Sequence, residues 1–190
     1  VNSIGQNDEV ICPDLTFVAT AAAIAYTGAD PVFLDVEEET LGLNPDVVES
    51  FIQENTELKN GYRYNKHTGK RIAACIPMHN VGFPVRIKEL KAICDTYNII
   101  LIEDAAEAHG AEYNGKKAGS LGHIACFSFY ANKLITTGEG GMVITNNDSW
   151  ADRAKKLRNH FFGEPRFLHQ DIGYNYRLTN IQAGVGLAQL

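Results

Sequence analysis

Asn98-Ile99-Ile100-Leu101-Ile102-Glu103-Asp104 sets four apolar residues directly before two carboxylates. An apolar run this short reads as a strand buried on both faces, the kind that parallel sheets contain. Upstream of it, Ile87, Leu90, Cys94 and Tyr97 recur at helical spacing over 87–97, with Lys88, Glu89 and Lys91 turned mostly outward. Similar short apolar runs lie at 9–12, 31–35, 72–78, 124–129 and 141–145. Between them, Asn44-Pro45-Asp46 supplies a helix cap, a proline at the first helical position and an early acid, and Val47, Val48, Phe51 and Ile52 follow on one face. Short strands alternating with helices predict an α/β domain with a largely parallel sheet.

Three stretches depart from that alternation. Tyr113-Asn114-Gly115-Lys116 carries the Asn-Gly hairpin signal and predicts an antiparallel excursion. Residues 54–70 are polar, with Leu58 alone among charges and Gly61 and Gly69 as breakers, and they read as the least structured part, a surface excursion. Thr179 and Gln182 form a plausible capping box, yet the helical pattern they open has no stop signal before Leu190. With Val1 in place of Met at the other end, both ends read as cut, and neither carries a signal peptide.

Composition narrows the function classes. The chain has 190 residues, 45% hydrophobic and 21% charged, which excludes disorder, collagen and coiled coil. Seventeen basic residues against 23 acidic ones give a net charge of −6, with no basic cluster beyond short pairs, which argues against a nucleic-acid partner. The longest apolar run is too short for a bilayer that needs ~20 residues, so no membrane partner is implied. Cys12, Cys75, Cys94 and Cys126 stand singly with no metal spacing, and Cys75 and Cys126 lie in apolar runs. They read as buried free thiols, which fits a reducing cytoplasm and no metal site.

Ligands of open α/β sheets sit outside the carboxyl ends of the strands, so polar residues closing an apolar strand come first. Glu103 and Asp104 close one strand, and Ser128 lies near the end of another, just before Asn132-Lys133. A carboxylate there costs several kcal/mol to bury without a cation or donors; the alternative is an exposed helix N-cap. Lys133 precedes a Gly-rich turn, Gly138-Glu139-Gly140-Gly141, that matches neither phosphate-binding glycine pattern. A desolvated lysine amine condenses with aldehydes, and a buried aspartate keeps a pyridine nitrogen protonated. Together the two describe a site for a pyridine aldehyde cofactor.

At these residues the chain resembles the sugar aminotransferases of the DegT/DnrJ/EryC1/StrS family, and within it the group that builds perosamine. The resemblance runs through residues 8–17, then Glu103-Asp104-Ala105-Ala106-Glu107-Ala108-His109-Gly110, then Phe127 to Gly141, and Gly173-Tyr174-Asn175-Tyr176-Arg177. It implies the large domain of fold type I pyridoxal phosphate enzymes, a mostly parallel seven-stranded sheet flanked by helices. It also implies that Lys133 anchors the cofactor covalently and then shuttles the substrate proton. Asp104 would bind the pyridinium nitrogen, Ser128 the phosphate, and Phe17 would cover one ring face, the alternative being ordinary core packing. Glu107, where many relatives have Gln, would lie near the phenolic oxygen. Asn175 would reach across a homodimer interface to the neighbour's phosphate, and Ala183, Gly184, Gly186 and Ala188 would let the following helix pack closely. His79 and His109 either face the site or are satisfied structural histidines. His160 and His169 flank a loop, 161–168, that resembles the region admitting the sugar nucleotide.

The activity implied is transamination of a nucleotide-linked 4-keto-6-deoxysugar by L-glutamate, in amino-sugar and O-antigen polysaccharide biosynthesis. Residues 1–190 would form a partial large domain, without the N-terminal segment and C-terminal small domain of the family, and inactive alone. Three rivals stand beside this. Another pyridoxal phosphate reaction would need its own groups, such as a mobile cysteine loop. A nucleotide-binding oxidoreductase would want GxGxxG after the first strand, where no glycine comes until Gly28. A regulatory protein on the same fold would have no physical need for Lys133, Asp104 and Ser128 together.

Overall fold

The computed structural model describes residues 4–190; the chain's opening at Val1 lies outside them. The elements run β1 (Asp8–Pro13), α1 (Val18–Tyr26), β2 (Asp30–Leu34), α2 (Pro45–Asn55), β3 (Thr56–Lys59), β4 (Tyr62–Asn65), β5 (Arg71–Cys75), α3 (Ile87–Thr96), β6 (Ile100–Asp104), β7 (Glu112–Tyr113), β8 (Lys116–Lys117), β9 (Ile124–Ser128), β10 (Gly141–Ile144), α4 (Asp148–Leu157) and α5 (Asn180–Leu187). Six strands form the sheet in the order β10-β9-β6-β5-β1-β2. The five from β9 to β2 are mutually parallel, and β10 closes antiparallel on β9.

The excursion at 54–70 is more ordered than its composition suggests. β3 and β4 form an antiparallel hairpin whose second strand meets β5 at Tyr64 and Arg71, bringing the sheet to eight strands where seven were expected. Its base is held by the buried Glu9, whose carboxylate accepts from Asn65 Nδ2 at 2.8 Å and Thr68 Oγ1 at 2.7 Å. Each such charge-assisted bond contributes about 1.5–3 kcal/mol, enough to fix a hairpin with little apolar surface. The Asn-Gly excursion forms as expected, as the β7–β8 ribbon.

One face of the sheet is sealed by α2 and α3. Asn44 Oδ1 accepts from Asp46 N–H at 2.9 Å to start α2, and Val48 and Ile52 face inward. α3 buries Ile87, Leu90 and Cys94, the helical spacing read in the sequence. These pack with Ile11, Leu43, Ile72, Cys75, Val85, Ile99 and Leu101 into one core, each large side chain stabilising by ~1.5–3 kcal/mol. The opposite face is covered by Ile24 of α1 and Ala29 just after it, against Val10, Cys12 and Ala74, and Ile76, Ile100 and Ile102 are only half buried. All four cysteines are free, but Cys126 is partly rather than fully buried, because its side chain lies on the more open face beside its register partner Asp104. Burial pushes the Cys12 thiol up to about 11, with Asp14 adding to it, so it stays protonated at neutral pH. Among the described residues no helix is long and apolar enough to cross a membrane, and no group of His, Cys, Asp and Glu could hold a metal ion.

Candidate active site

Alternation along β6 sends neighbouring side chains to opposite faces. Glu103 and Asp104 are both buried, which rules out the exposed N-cap. Asp104 points toward α1: Oδ2 accepts from Thr20 Oγ1 at 2.7 Å, and Oδ1 accepts from Ala106 N–H at 3.2 Å. Glu107 lies one turn beyond. Its Oε1 meets Lys133 Nζ at 3.3 Å, and its Oε2 accepts from Val81 N–H at 3.0 Å. The Lys133 side chain is 15% exposed, so its charge is partly desolvated and paired with one carboxylate. Ser128 ends β9; its Oγ accepts from Tyr130 N–H at 3.2 Å, which leaves the hydroxyl hydrogen to donate elsewhere. An amine, two carboxylates and a hydroxyl thus gather at the carboxyl ends of β6 and β9, where sheets of this type take ligands.

Phe17 is the N-cap of α1, with extended φ −71° and ψ 140°. Its ring is 63% exposed, which sets aside the core-packing alternative. The backbone N–H of Phe17 donates to Met78 Sδ at 3.4 Å, so the turn before α1 is tied to the segment after β5. Asn175 is exposed, and among the described residues it bonds through its side chain only to Arg177, at 3.4 Å; the structure does not bring it to Lys133. Beyond it, Thr179 and Gln182 form the capping box of α5 as expected.

The histidines separate. His79 is fully buried and bonds to Glu103 at 3.0 Å, so it is a satisfied structural histidine. His109 lies beside Phe127 and Phe129, with centroid distances of 5.4 and 5.9 Å, and neither ring nitrogen finds a partner among the described residues. Burial holds its imidazole below the ordinary range, and the Lys133 charge adds to that. His169 Nδ1 donates to the His160 carbonyl at 2.7 Å, closing the 161–168 loop on itself.

Sequence reading passed over Thr20, Met78 and Val81. A hydroxyl in an otherwise apolar, Ala-rich helix was the available signal for Thr20, since α1 buries only Thr20 and Ile24. Met78 and Val81 act through a sulfur and a backbone N–H, for which a sequence carries no pattern.

A family model described as the DegT/DnrJ/EryC1/StrS aminotransferase family matches residues 1–190. The chain is 42% identical over 188 residues to the GDP-perosamine synthase of Caulobacter vibrioides, covering 98% of this chain and 46% of that protein. Among solved structures it is similar to a DegT/DnrJ/EryC1/StrS aminotransferase from Brucella abortus, with a TM-score of 0.89, 32% identity, and 98% and 48% of the two chains covered. It is also similar to DesI solved in the presence of its TDP-sugar product, with a TM-score of 0.81, 32% identity, and 98% and 43% covered. The chain spans about half the length of the curated relatives it matches. Fold and family model agree: the chain belongs to the DegT/DnrJ/EryC1/StrS aminotransferase family, whose cofactor is pyridoxal phosphate.

Proposed function

We propose that residues 1–190 are part of the cofactor-binding large domain of an enzyme that moves the amino group of L-glutamate onto a nucleotide-linked 4-keto-6-deoxysugar, in amino-sugar and O-antigen biosynthesis. The carrying observation is the Glu107–Lys133 pair next to the buried Asp104 at the carboxyl end of β6. The likeness to a GDP-perosamine synthase supports the sugar substrate.

The donor set fits pyridoxal phosphate. Asp104 has donors from Thr20 and Ala106 and keeps lone pairs for a pyridinium N–H; Ser128 has a free donor for a phosphate oxygen; Lys133 offers an amine. When bound, the cofactor supplies an electron-withdrawing ring that stabilises negative charge at the substrate carbon. Asp104, oriented by Thr20, holds the proton on the ring nitrogen. The Lys133 amine anchors the cofactor and, once free, takes the proton from the substrate carbon or returns it. Glu107 orients that amine and faces the phenolic oxygen, while the exposed Phe17 ring covers one face of the site and excludes water.

Asn175 acts in a homodimer, reaching the neighbouring subunit's phosphate. Its exposure, and that of Ile181 and Leu187 on α5 at 82% and 71%, supports an interface there. The test uses the full-length protein with pyridoxal phosphate, L-glutamate and a panel of GDP-, UDP- and dTDP-linked ketosugars. One sugar is expected to gain an amine, and Lys133→Ala to lose both that activity and the visible absorbance of the bound cofactor. Amination by Lys133→Ala would break the assignment, and a wild type with no cofactor absorbance would point to a regulatory protein on the same fold.

A further inference from the structure

Glu103 is the most completely satisfied carboxylate of the molecule, yet nothing in the proposed chemistry touches it. It is fully buried on the sealed face, one residue from Asp104. Oε2 accepts from Gly119 N–H at 2.7 Å and from His79 Nε2 at 3.0 Å; Oε1 accepts from Leu121 N–H at 2.7 Å and from Gly122 N–H. Gly122 eases this approach, since a Cβ there would press on Glu103 Cγ at 3.0 Å. On the other side of His79, Nδ1 accepts from Val85 N–H at 3.2 Å, so Nε2 carries the ring hydrogen and donates it to Glu103.

The segment that His79 belongs to touches three site residues. Met78 Sδ accepts from Thr16 Oγ1 at 3.2 Å and from Phe17 N–H at 3.4 Å. The His79 N–H donates to the Asp104 carbonyl at 3.0 Å, and Val81 N–H donates to the Glu107 carboxylate at 3.0 Å. That last contact depends on a costly turn. Val81 is β-branched and sits at φ 52°, the left-handed region such residues avoid, at about 1–3 kcal/mol. Gly82 follows at φ 85°, where a Cβ would stand 3.0 Å from the Glu107 carbonyl oxygen. A strained turn with Val81 77% exposed persists only if its base is fixed, and the base is His79.

We propose that the buried His79–Glu103 pair is the positioning element of the active site, fixing the 78–83 segment whose backbone sets Asp104 and Glu107 and, through Glu107, the Lys133 amine. The inference rests on the reading of those three residues as the cofactor site. His79 and Glu103 act through other residues and contact neither substrate nor cofactor.

The test compares three variants of the full-length protein loaded with pyridoxal phosphate: His79→Phe, Gly82→Ala, and Ile52→Ala as a core control on the same face. Two quantities are read: the pH midpoint of the visible band of the bound cofactor, and hydrogen exchange of the 78–83 segment without cofactor. His79→Phe is expected to shift the midpoint, speed exchange in the segment, and lower kcat on the order of a hundredfold with a smaller change in KM. Gly82→Ala shifts the midpoint in the same direction from the exposed end, and Ile52→Ala lowers stability without moving it. An unmoved midpoint in a folded His79→Phe, or an equal shift in Ile52→Ala, overturns the proposal. If His79→Phe does not fold, His79→Gln read in the same way takes its place, a shift supporting the proposal and no shift ending it. A wild type without the visible band defeats the active-site reading itself and this inference with it.

Discussion

The two faces of the sheet meet the end of β6 in opposite ways. On the face of α2 and α3, Glu103 is enclosed by four hydrogen-bond donors and by a core of fully buried aliphatic side chains. On the face of α1, Asp104 has two donors, lone pairs to spare, and half-buried isoleucines beside it. Two carboxylates one residue apart therefore do different work: a saturated one holds structure, and an unsaturated one can still bind. The pair also shows why burial alone does not mark a site, since the more buried carboxylate is the one with nothing left to offer.

The contrast breaks most sharply at the carboxylates themselves. Glu103→Ala leaves His79 and three N–H groups without an acceptor, and full-length protein should lose about 3–5 kcal/mol in denaturant unfolding. Asp104→Asn keeps most of its contacts and should cost under about 1 kcal/mol while turnover falls on the order of a hundredfold. If Asp104→Asn were the more unstable of the two, the faces would have been assigned the wrong way round. In the cores, Leu90→Ala on the sealed face should cost about 2–5 kcal/mol, against about 1 kcal/mol for Ile102→Ala on the open one, by the same unfolding measurement.

Acid sharpens the comparison further. Burial raises a carboxyl, but the bonds from His79, Gly122 and Gly119 outweigh it and hold Glu103 below its ordinary range. A group depressed on folding adds stability above its unfolded value of about 4.3, and that stability fades as pH falls through the folded one. Unfolding midpoints of the wild type should therefore drop as pH is lowered below about 4, and Glu103→Gln should flatten that slope, starting from a lower plateau. At the cap of α2, Asn44→Ala should cost about 1 kcal/mol with turnover unchanged.

The sequence made β6, α2 and α3 legible because their apolar periods are uninterrupted and α2 carries a conventional Asn44 cap. The two Asn-Gly turns mark the limit of that reading. At 114–115 the turn was legible as a hairpin, whereas the one at 60–61 was not, although β3 and β4 are the longer strands. Glu57, Lys59 and Arg63 hide any alternation there, and what fixes the hairpin is Glu9, a buried carboxylate more than 50 residues away in sequence. The site divides in the same manner. Asp104 and Ser128 close apolar strands that the sequence displays, and Lys133 follows one of them, whereas Glu107 was singled out only by the family resemblance. Thr20, which meets Asp104 across 84 positions of sequence, and the Val81 N–H become visible only when α1 and the 78–83 segment are folded against β6.

The strict alternation of β6 has a consequence for how errors are caught during folding. A slip of one residue in its pairing with β5 and β9 would turn both carboxylates to the opposite faces, sending Asp104 into the ring of N–H donors and Glu103 to the place of Ile102, one position short of Thr20. Aspartate, one methylene shorter, would leave several of those donors unmet, and the slipped molecule would be unstable before it was inactive. Assembly of the sealed face thus proof-reads the open one: a chain that has folded stably has, by the same register, already aimed Asp104.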